Sequence, residues 1–239
     1  MSQNKTFVLV HGAWHGGWCW SAVAAILRSR GHSVLTPTQT GLGERRHLIS
    51  KAITLDTFIE DITNVIDFER LDDIVLVGHS FGGNTISGVA DRMRGRIRQL
   101  IYLDSLIIEG GQSPFSILPD DVVASRLKLA EPSGGVSIPA PPGKAFGIVD
   151  PALAKMVEER LTPHPVGTYQ SPLNIKGPVG NGLPATYIAC TDPVYAPLQS
   201  SRDWAKTKGA ALGMTMTELA TGHDAMVTAP QALADLIDF

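Results

Sequence analysis

Ser80 stands in the stretch VGHSFGG (77–83), directly after the apolar run IVLV (74–77). Gly78, Ser80 and Gly82 match G-x-S-x-G, the pattern of a tight strand-to-helix turn that exposes a nucleophilic hydroxyl. Side chains at the flanking positions would crowd such a turn, which is why glycines stand there. The pattern alone is common. Its setting gives it weight, because IVLV reads as a strand and GGNTISGVADRM (82–93) reads as the helix that follows.

A serine hydroxyl is a poor nucleophile near neutral pH and needs an imidazole base. Of the seven histidines, His223 lies in LATGHDAM, after the last strand-like segment and before a helix. That places it at the same end of a sheet as Ser80. The His79 side chain should diverge from its neighbour Ser80. His11 and His15 fall in the loop after the first strand, and His32, His47 and His164 lack a strand-end setting.

The imidazole needs a carboxylate to orient it and to stabilise its charged form. Asp104 ends a strand in LIYLDSLI, and Asp192 follows one in YIACTDPVYAP. Both give the chain order serine, acid, histidine. Asp104 comes off the strand next along the chain from the nucleophile strand. Asp192 precedes a proline, which equally fits a turn. Asp104 is favoured, with Asp192 as the alternative acid.

An oxyanion forming on a substrate needs preset N–H donors. The amide of Phe81, just after the nucleophile, is one. The loop HGAWHGGWCW (11–20) offers the amide of Ala13 as the other, with Gly12 permitting close approach. Trp18 and Trp20 in that loop read as core. Other signals fail. His11 and His15 have a metal-like spacing but no glutamate of the H-E-x-x-H pattern. GLGERR (41–46) lacks the third glycine of a dinucleotide fingerprint, and no phosphate loop occurs. No metal and no cofactor are expected.

The elements that must carry these residues alternate. Strand patterns fall at 7–10, 33–36, 74–77, 97–103, 185–190 and, more weakly, 215–219. Helical patterns fall at 20–30, 54–69 (with Thr54 as cap), 82–93 and 198–208, and Pro230 opens a last helix. Short apolar strands between helices indicate a mainly parallel sheet of about six strands with helices on both faces, an α/β fold. The rhythm breaks at 106–183, a stretch rich in proline and glycine with one helical piece near 151–161. A structureless loop of that length is implausible in a compact domain. The division expected is a core of 1–105 and 184–239, with 106–183 as a cap roofing the strand ends.

The chain has 239 residues, 44% hydrophobic and 18% charged, as in an ordered single domain. The formal net charge of −3 gives no case for nucleic acid, and the basic run at 92–98 reads as solvated surface. Cys19 and Cys190, both in apolar settings, read as buried free thiols. No leader-like segment opens the sequence and no run is long enough to span a membrane, so the expected location is cytoplasmic. The expected partner is a small-molecule ester. A homodimer is the assembly compatible with the sequence.

FVLVHGAWHGGWCW, VLVGHSFGG and TGHDAM together resemble the α/β-hydrolase superfamily, and more narrowly the plant methylesterase and hydroxynitrile lyase group with its bacterial esterase relatives. The resemblance spans nearly the whole chain except the cap. It implies a serine esterase fold with a small helical cap and no cofactor, Ser80 as nucleophile, His223 as base, and Ala13 and Phe81 as oxyanion donors. Two departures stand out. The plant lyases carry a lysine after the catalytic histidine and a threonine after the first strand's histidine, where this chain has Asp224 and Gly12. Cyanohydrin cleavage needs a cation there. The plant enzymes also place the acid after the strand equivalent to 185–190, where an ungapped match falls on Val194. Certain haloalkane dehalogenases place it after the strand equivalent to 97–103, and IYLDSLI is similar to their segment. A serine at position 80 argues against dehalogenation itself. The expected activity is hydrolysis of small, fairly apolar carboxylic esters. The rivals are other chemistries on the same fold (hydroxynitrile lyase, acyltransferase, carbon–carbon hydrolase) and a ligand-binding receptor without turnover.

Overall fold

The chain was analysed as a computed structural model, which describes residues 4–238. The strands are β1 (Thr6–Val10), β2 (Ser33–Leu35), β3 (Ile74–His79), β4 (Ile97–Leu103), β5 (Ser137–Ile138), β6 (His164–Pro165), β7 (Ala185–Cys190) and β8 (Thr215–Leu219). The helices are α1 (Ser21–Ser29), α2 (Leu55–Phe68), α3 (Gly82–Arg92), α4 (Asp120–Ala130), α5 (Pro151–Glu158), α6 (Val166–Gln170), α7 (Gln199–Trp204), α8 (Ala225–Thr228) and α9 (Pro230–Ile237).

Six strands form one parallel sheet in the order β2-β1-β3-β4-β7-β8. Successive strand residues point to opposite faces, and here both faces are dry. Val8, Val10, Leu76 and Tyr102 join Phe58, Ile62 and Ile86 of α2 and α3 in one core. Phe7, Leu9, Val77 and Leu103 join Leu27 of α1 and Leu233 and Ile237 of α9 in the other. That double burial explains why β3 is apolar throughout its first four residues, as the sequence indicated. β8, at the sheet edge, is part exposed, and its pattern is correspondingly weak.

The strand order fixes where a ligand can bind. From β1 the chain steps outward to β2, then returns to the other side of β1 as β3. The crevice opens at the carboxyl ends of strands where the order reverses. The loops after β1 and β3 flank it, and they carry Ala13 and Ser80.

α2 begins as its sequence indicates. The Thr54 hydroxyl accepts from the Thr57 amide at 3.4 Å, and the Thr57 hydroxyl accepts in return from the Thr54 amide at 3.2 Å. The helical pattern at 198–208 divides into α7 and a π-helical turn, Ala205–Gly209. The piece expected near 151–161 is α5, opened by Pro151 and capped by Asp150.

Segment 106–183 carries more structure than its composition indicates. α4 was not anticipated because it buries almost nothing, only Ala130 along its length, so no apolar stripe marks it. β5 and β6 pair antiparallel over two residues each, too short for any periodicity to register. The segment packs on the loop after β1. Trp14 Nε1 donates to the Ile138 carbonyl at 3.2 Å, and the Thr162 amide donates to the Trp14 carbonyl at 2.9 Å. Both cysteines are free and buried. Among the described residues, no helix is long and apolar enough to cross a membrane.

Candidate active site

Ser80 occupies the turn between β3 and α3 with φ +53°, a left-handed conformation unusual for a residue with a side chain. Such a position costs about 1–3 kcal/mol and persists only where its surroundings hold it. They do so here. The Ser80 amide donates to the Leu103 carbonyl at 3.1 Å, and its carbonyl accepts from the Leu106 amide at 2.9 Å. The flanking glycines answer to space. A Cβ on Gly78 would stand 2.7 Å from the Gly82 carbonyl oxygen, and one on Gly82 would stand 2.8 Å from that of His11.

His223, in the loop between β8 and α8, brings its Nε2 to 3.0 Å from Ser80 Oγ. Its Nδ1 lies 2.7 Å from Asp104 Oδ2. A carboxylate only accepts, so Nδ1 carries the proton and Nε2 is left to accept from the serine hydroxyl. This is the arrangement a general base requires. Asp104, just past β4, is fully buried and also has a positive φ, +39°. Its amide donates to the Ile188 carbonyl at 2.7 Å, which ties the acid to β7.

Of the two candidate acids, Asp104 is the one brought to His223. Asp192 is exposed, precedes a cis bond to Pro193, and donates its backbone amide to the Thr221 carbonyl at 3.0 Å. Two partners of the cluster were not visible in the sequence. Arg202 on α7, itself 4% exposed, donates from Nη2 to Asp104 Oδ1 at 2.8 Å, and the Cys190 amide adds a longer bond to the same oxygen at 3.3 Å. The Tyr195 ring stacks on the His223 imidazole with centroids 4.2 Å apart. An arginine in a helix reads as surface by default, and Tyr195 sits in an irregular loop, so neither left a pattern.

The Ala13 and Phe81 amides have no acceptor among the described residues. Both residues are buried. A buried N–H without a partner is uncommon and invites a ligand acceptor. The β1 loop passes so near the nucleophile that a Cβ on Gly12 would lie 2.7 Å from Ser80 Cβ. Trp14, the next residue but one, has φ +64°.

The remaining histidines of the region do other work. His79 turns away from Ser80, and its Nε2 donates to the His223 carbonyl at 3.0 Å. Burial, then the nearby His223, holds it neutral, well below the usual imidazole range. His15 meets two acceptors, Asp224 Oδ2 at 3.1 Å and the Ala13 carbonyl at 2.8 Å, so both its nitrogens donate and the ring is cationic. Burial opposes that charge, but Asp224 outweighs it and raises the His15 pKa. Asp224 is correspondingly lowered against its own burial cost, chiefly by His15. His11 accepts from the Gln39 amide at 3.0 Å, and burial depresses its pKa to about 3. His11 and His15 therefore serve different partners despite their spacing. His79, His223 and Asp224 bring a potential ligand atom each within 4.8 Å of one another. A metal there would compete with Ser80 and Asp104 for the His223 nitrogens.

Above Ser80 lies a small pocket, open on one side. Trp14, Phe81, Leu106 and Leu198 give it apolar walls, Tyr169 and Tyr195 line it, and Arg126 of α4 reaches it from segment 106–183.

Residues 7–236 match the model of a family described as the alpha/beta hydrolase family. The chain is 40% identical over 239 residues to a carbendazim hydrolyzing esterase from Nocardioides sp. (strain SG-4G), covering 96% of each. It is 32% identical over 123 residues to methylesterase 1 of Arabidopsis thaliana, covering 49% of this chain and 47% of that one. Among solved structures, it superposes on an extracellular alpha/beta-hydrolase from a Paenibacillus species with a TM-score of 0.83 and 27% identity, covering 98% of this chain and 97% of that chain.

Proposed function

Since the chain belongs to the alpha/beta hydrolase family, we propose that it is a serine carboxylesterase acting on small, fairly apolar esters through an acyl-enzyme intermediate. The observation that carries this reading is the unbroken line of hydrogen bonds from Ser80 Oγ through His223 to Asp104. The esterase relative of nearly equal length supports it.

The steps follow from the geometry. Ser80 Oγ attacks the ester carbonyl while His223 Nε2 takes the hydroxyl proton. Asp104 holds the resulting imidazolium in place. Negative charge on the carbonyl oxygen is met by the Ala13 and Phe81 amides, which already stand without acceptors. The tetrahedral species collapses as His223 returns the proton to the departing alcohol. Water then enters, gives a proton to His223, and attacks the acyl group. Its collapse releases the acid and restores Ser80.

In this reading the core is 1–105 and 184–239, and segment 106–183 is a cap. Its contacts with Trp14, and Phe146 stacked near His223 with centroids 6.2 Å apart, support that role. Lyase chemistry on a cyanohydrin is disfavoured, because the residue after His223 is an aspartate paired with His15 rather than a free cation. A cytoplasmic setting agrees with two buried, unpaired thiols.

Ser80→Ala, assayed with p-nitrophenyl acetate and then with a panel of small methyl esters and carbendazim, tests the assignment. Hydrolysis should vanish across every substrate the parent enzyme accepts. Full retention in the alanine variant would remove Ser80 from the reaction.

A further inference from the structure

Among the described residues, Arg126 is the only charged one lining the pocket above Ser80. Its guanidinium carbon lies 5.0 Å from the centre of the Tyr169 ring. Among the described residues no carboxylate pairs with it. That differs from Arg30, Arg92 and Arg202, each of which has an aspartate. The carboxylate nearest the chemistry, Asp104, is already occupied by Arg202 and His223.

The other ionisable groups facing this pocket do not offset the cation. Burial raises the pKa of Tyr169 and pushes that of Tyr195 up to about 12, so both rings stay neutral at physiological pH. The walls are otherwise apolar apart from Ser80. A cation in such surroundings lacks a counter-ion, and a planar guanidinium steadied on an aromatic face is suited to forked recognition of a carboxylate. The chain as a whole is acidic, with net charge −3, so this positive pocket is not a reflection of general charge.

We propose that Arg126 is an anion-recognition residue, and that the preferred substrates are esters bearing a second group that is a carboxylate. This rests on the esterase reading and changes its substrate class, from fairly apolar esters to half-esters that keep an apolar chain and carry one carboxylate. It assigns the cap a part in specificity, since α4 belongs to segment 106–183.

The test uses matched pairs. Monomethyl adipate is compared with methyl hexanoate, which places the carboxylate on the acyl side. O-butyrylglycolate is compared with ethyl butyrate, which places it on the alcohol side. In at least one pair kcat/KM should favour the anionic member by about tenfold, the scale of a charge-assisted hydrogen bond. Arg126→Gln should lower kcat/KM for that member about tenfold more than for its neutral partner, and Arg126→Lys should recover part of the difference. Equal losses on both members, or no anionic preference in either pair, would overturn the proposal. Turnover of the neutral esters that depends on Ser80 would leave the esterase reading standing in that case. If no ester is turned over, the esterase reading fails, and binding of adipate followed by tryptophan fluorescence decides the anion site. Saturable binding lost in Arg126→Gln supports the site, and absence of binding overturns it.

Discussion

Arg202 Nη2 stands 2.8 Å from Asp104 Oδ1, on the carboxylate oxygen opposite the one that holds His223 at 2.7 Å. Both partners are buried, with side-chain exposures of 5% and 0%. The acid of the proposed triad is thus clamped between two elements. α7 supplies the arginine, and the Cys190 amide at the end of β7 adds a third bond. The clamp has a cost as well as a benefit. A standing cation on Asp104 competes with the imidazolium for its charge, while the geometry it imposes fixes the ring for proton transfer.

Arg202→Met should therefore damage both folding and turnover. Breaking one side of a buried ion pair costs about 3–5 kcal/mol of stability. The expected loss in kcat is about 10- to 100-fold, from an imidazole less firmly aimed at Ser80. Arg202→Lys should recover more stability than activity, because an ammonium restores the charge but not the fork. Urea unfolding and steady-state kinetics on the three proteins measure the split.

The His15–Asp224 pair leads to a pH-dependent stability. His15 binds its proton more tightly in the folded protein, so its contribution is complete below its ordinary value of 6.5 and fades as pH rises through the raised value. The Asp224 contribution is complete above its ordinary value of 3.8 and fades as pH falls through the lowered one. Asp224→Asn should then lag the parent protein most between those two values. Denaturant unfolding at pH 5.5 and pH 9 checks this. A gap that widens toward pH 9 would reject the ion-pair account.

Gly12→Ala should leave a folded but crippled enzyme. The added methyl would meet Ser80 Cβ at 2.7 Å, and the loop could yield only by moving the amide of Ala13, the proposed oxyanion donor, away from Ser80. Loss of one oxyanion donor typically costs about 10²–10³ in kcat. Turnover compared with melting temperature separates this from a general loss of structure.

Much of this was legible in the residues. IVLV, VGHSFGG and TGHDAM announce β3, the tight turn at Ser80 and the strand-end position of His223, because each combines an apolar strand or strand end with a turn that only certain residues tolerate. Thr54 announced its helix for the same kind of local reason. The choice of Asp104 over Asp192 was less secure, since chain order admits both, and what separates them is the sheet neighbourhood of β4 and β7. Arg202, Tyr195 and Arg126 left no signal. The contacts they make join elements far apart in the chain. α4 escaped notice because an exposed helix has no apolar stripe to betray it.

Cys190 and Cys19 should be inert in the native protein. Burial raises both thiols, so little thiolate is present near neutral pH. Ellman's reagent should react slowly with the folded enzyme and rapidly in guanidinium. Fast labelling of the native protein would show that these sites open more readily than their burial implies.

In the proposed triad Asp104 steadies His223, and turnover of Asp104→Asn beside Asp192→Asn separates the two acids. Both variants are first checked for folding by circular dichroism, because Asp104 also anchors Arg202. kcat should fall by about 10³–10⁴-fold in Asp104→Asn, the scale of an orienting acid, and stay within about threefold in Asp192→Asn, as for an exposed surface change. A folded Asp104→Asn that keeps near-normal turnover, or a collapse of turnover in Asp192→Asn, would contradict it.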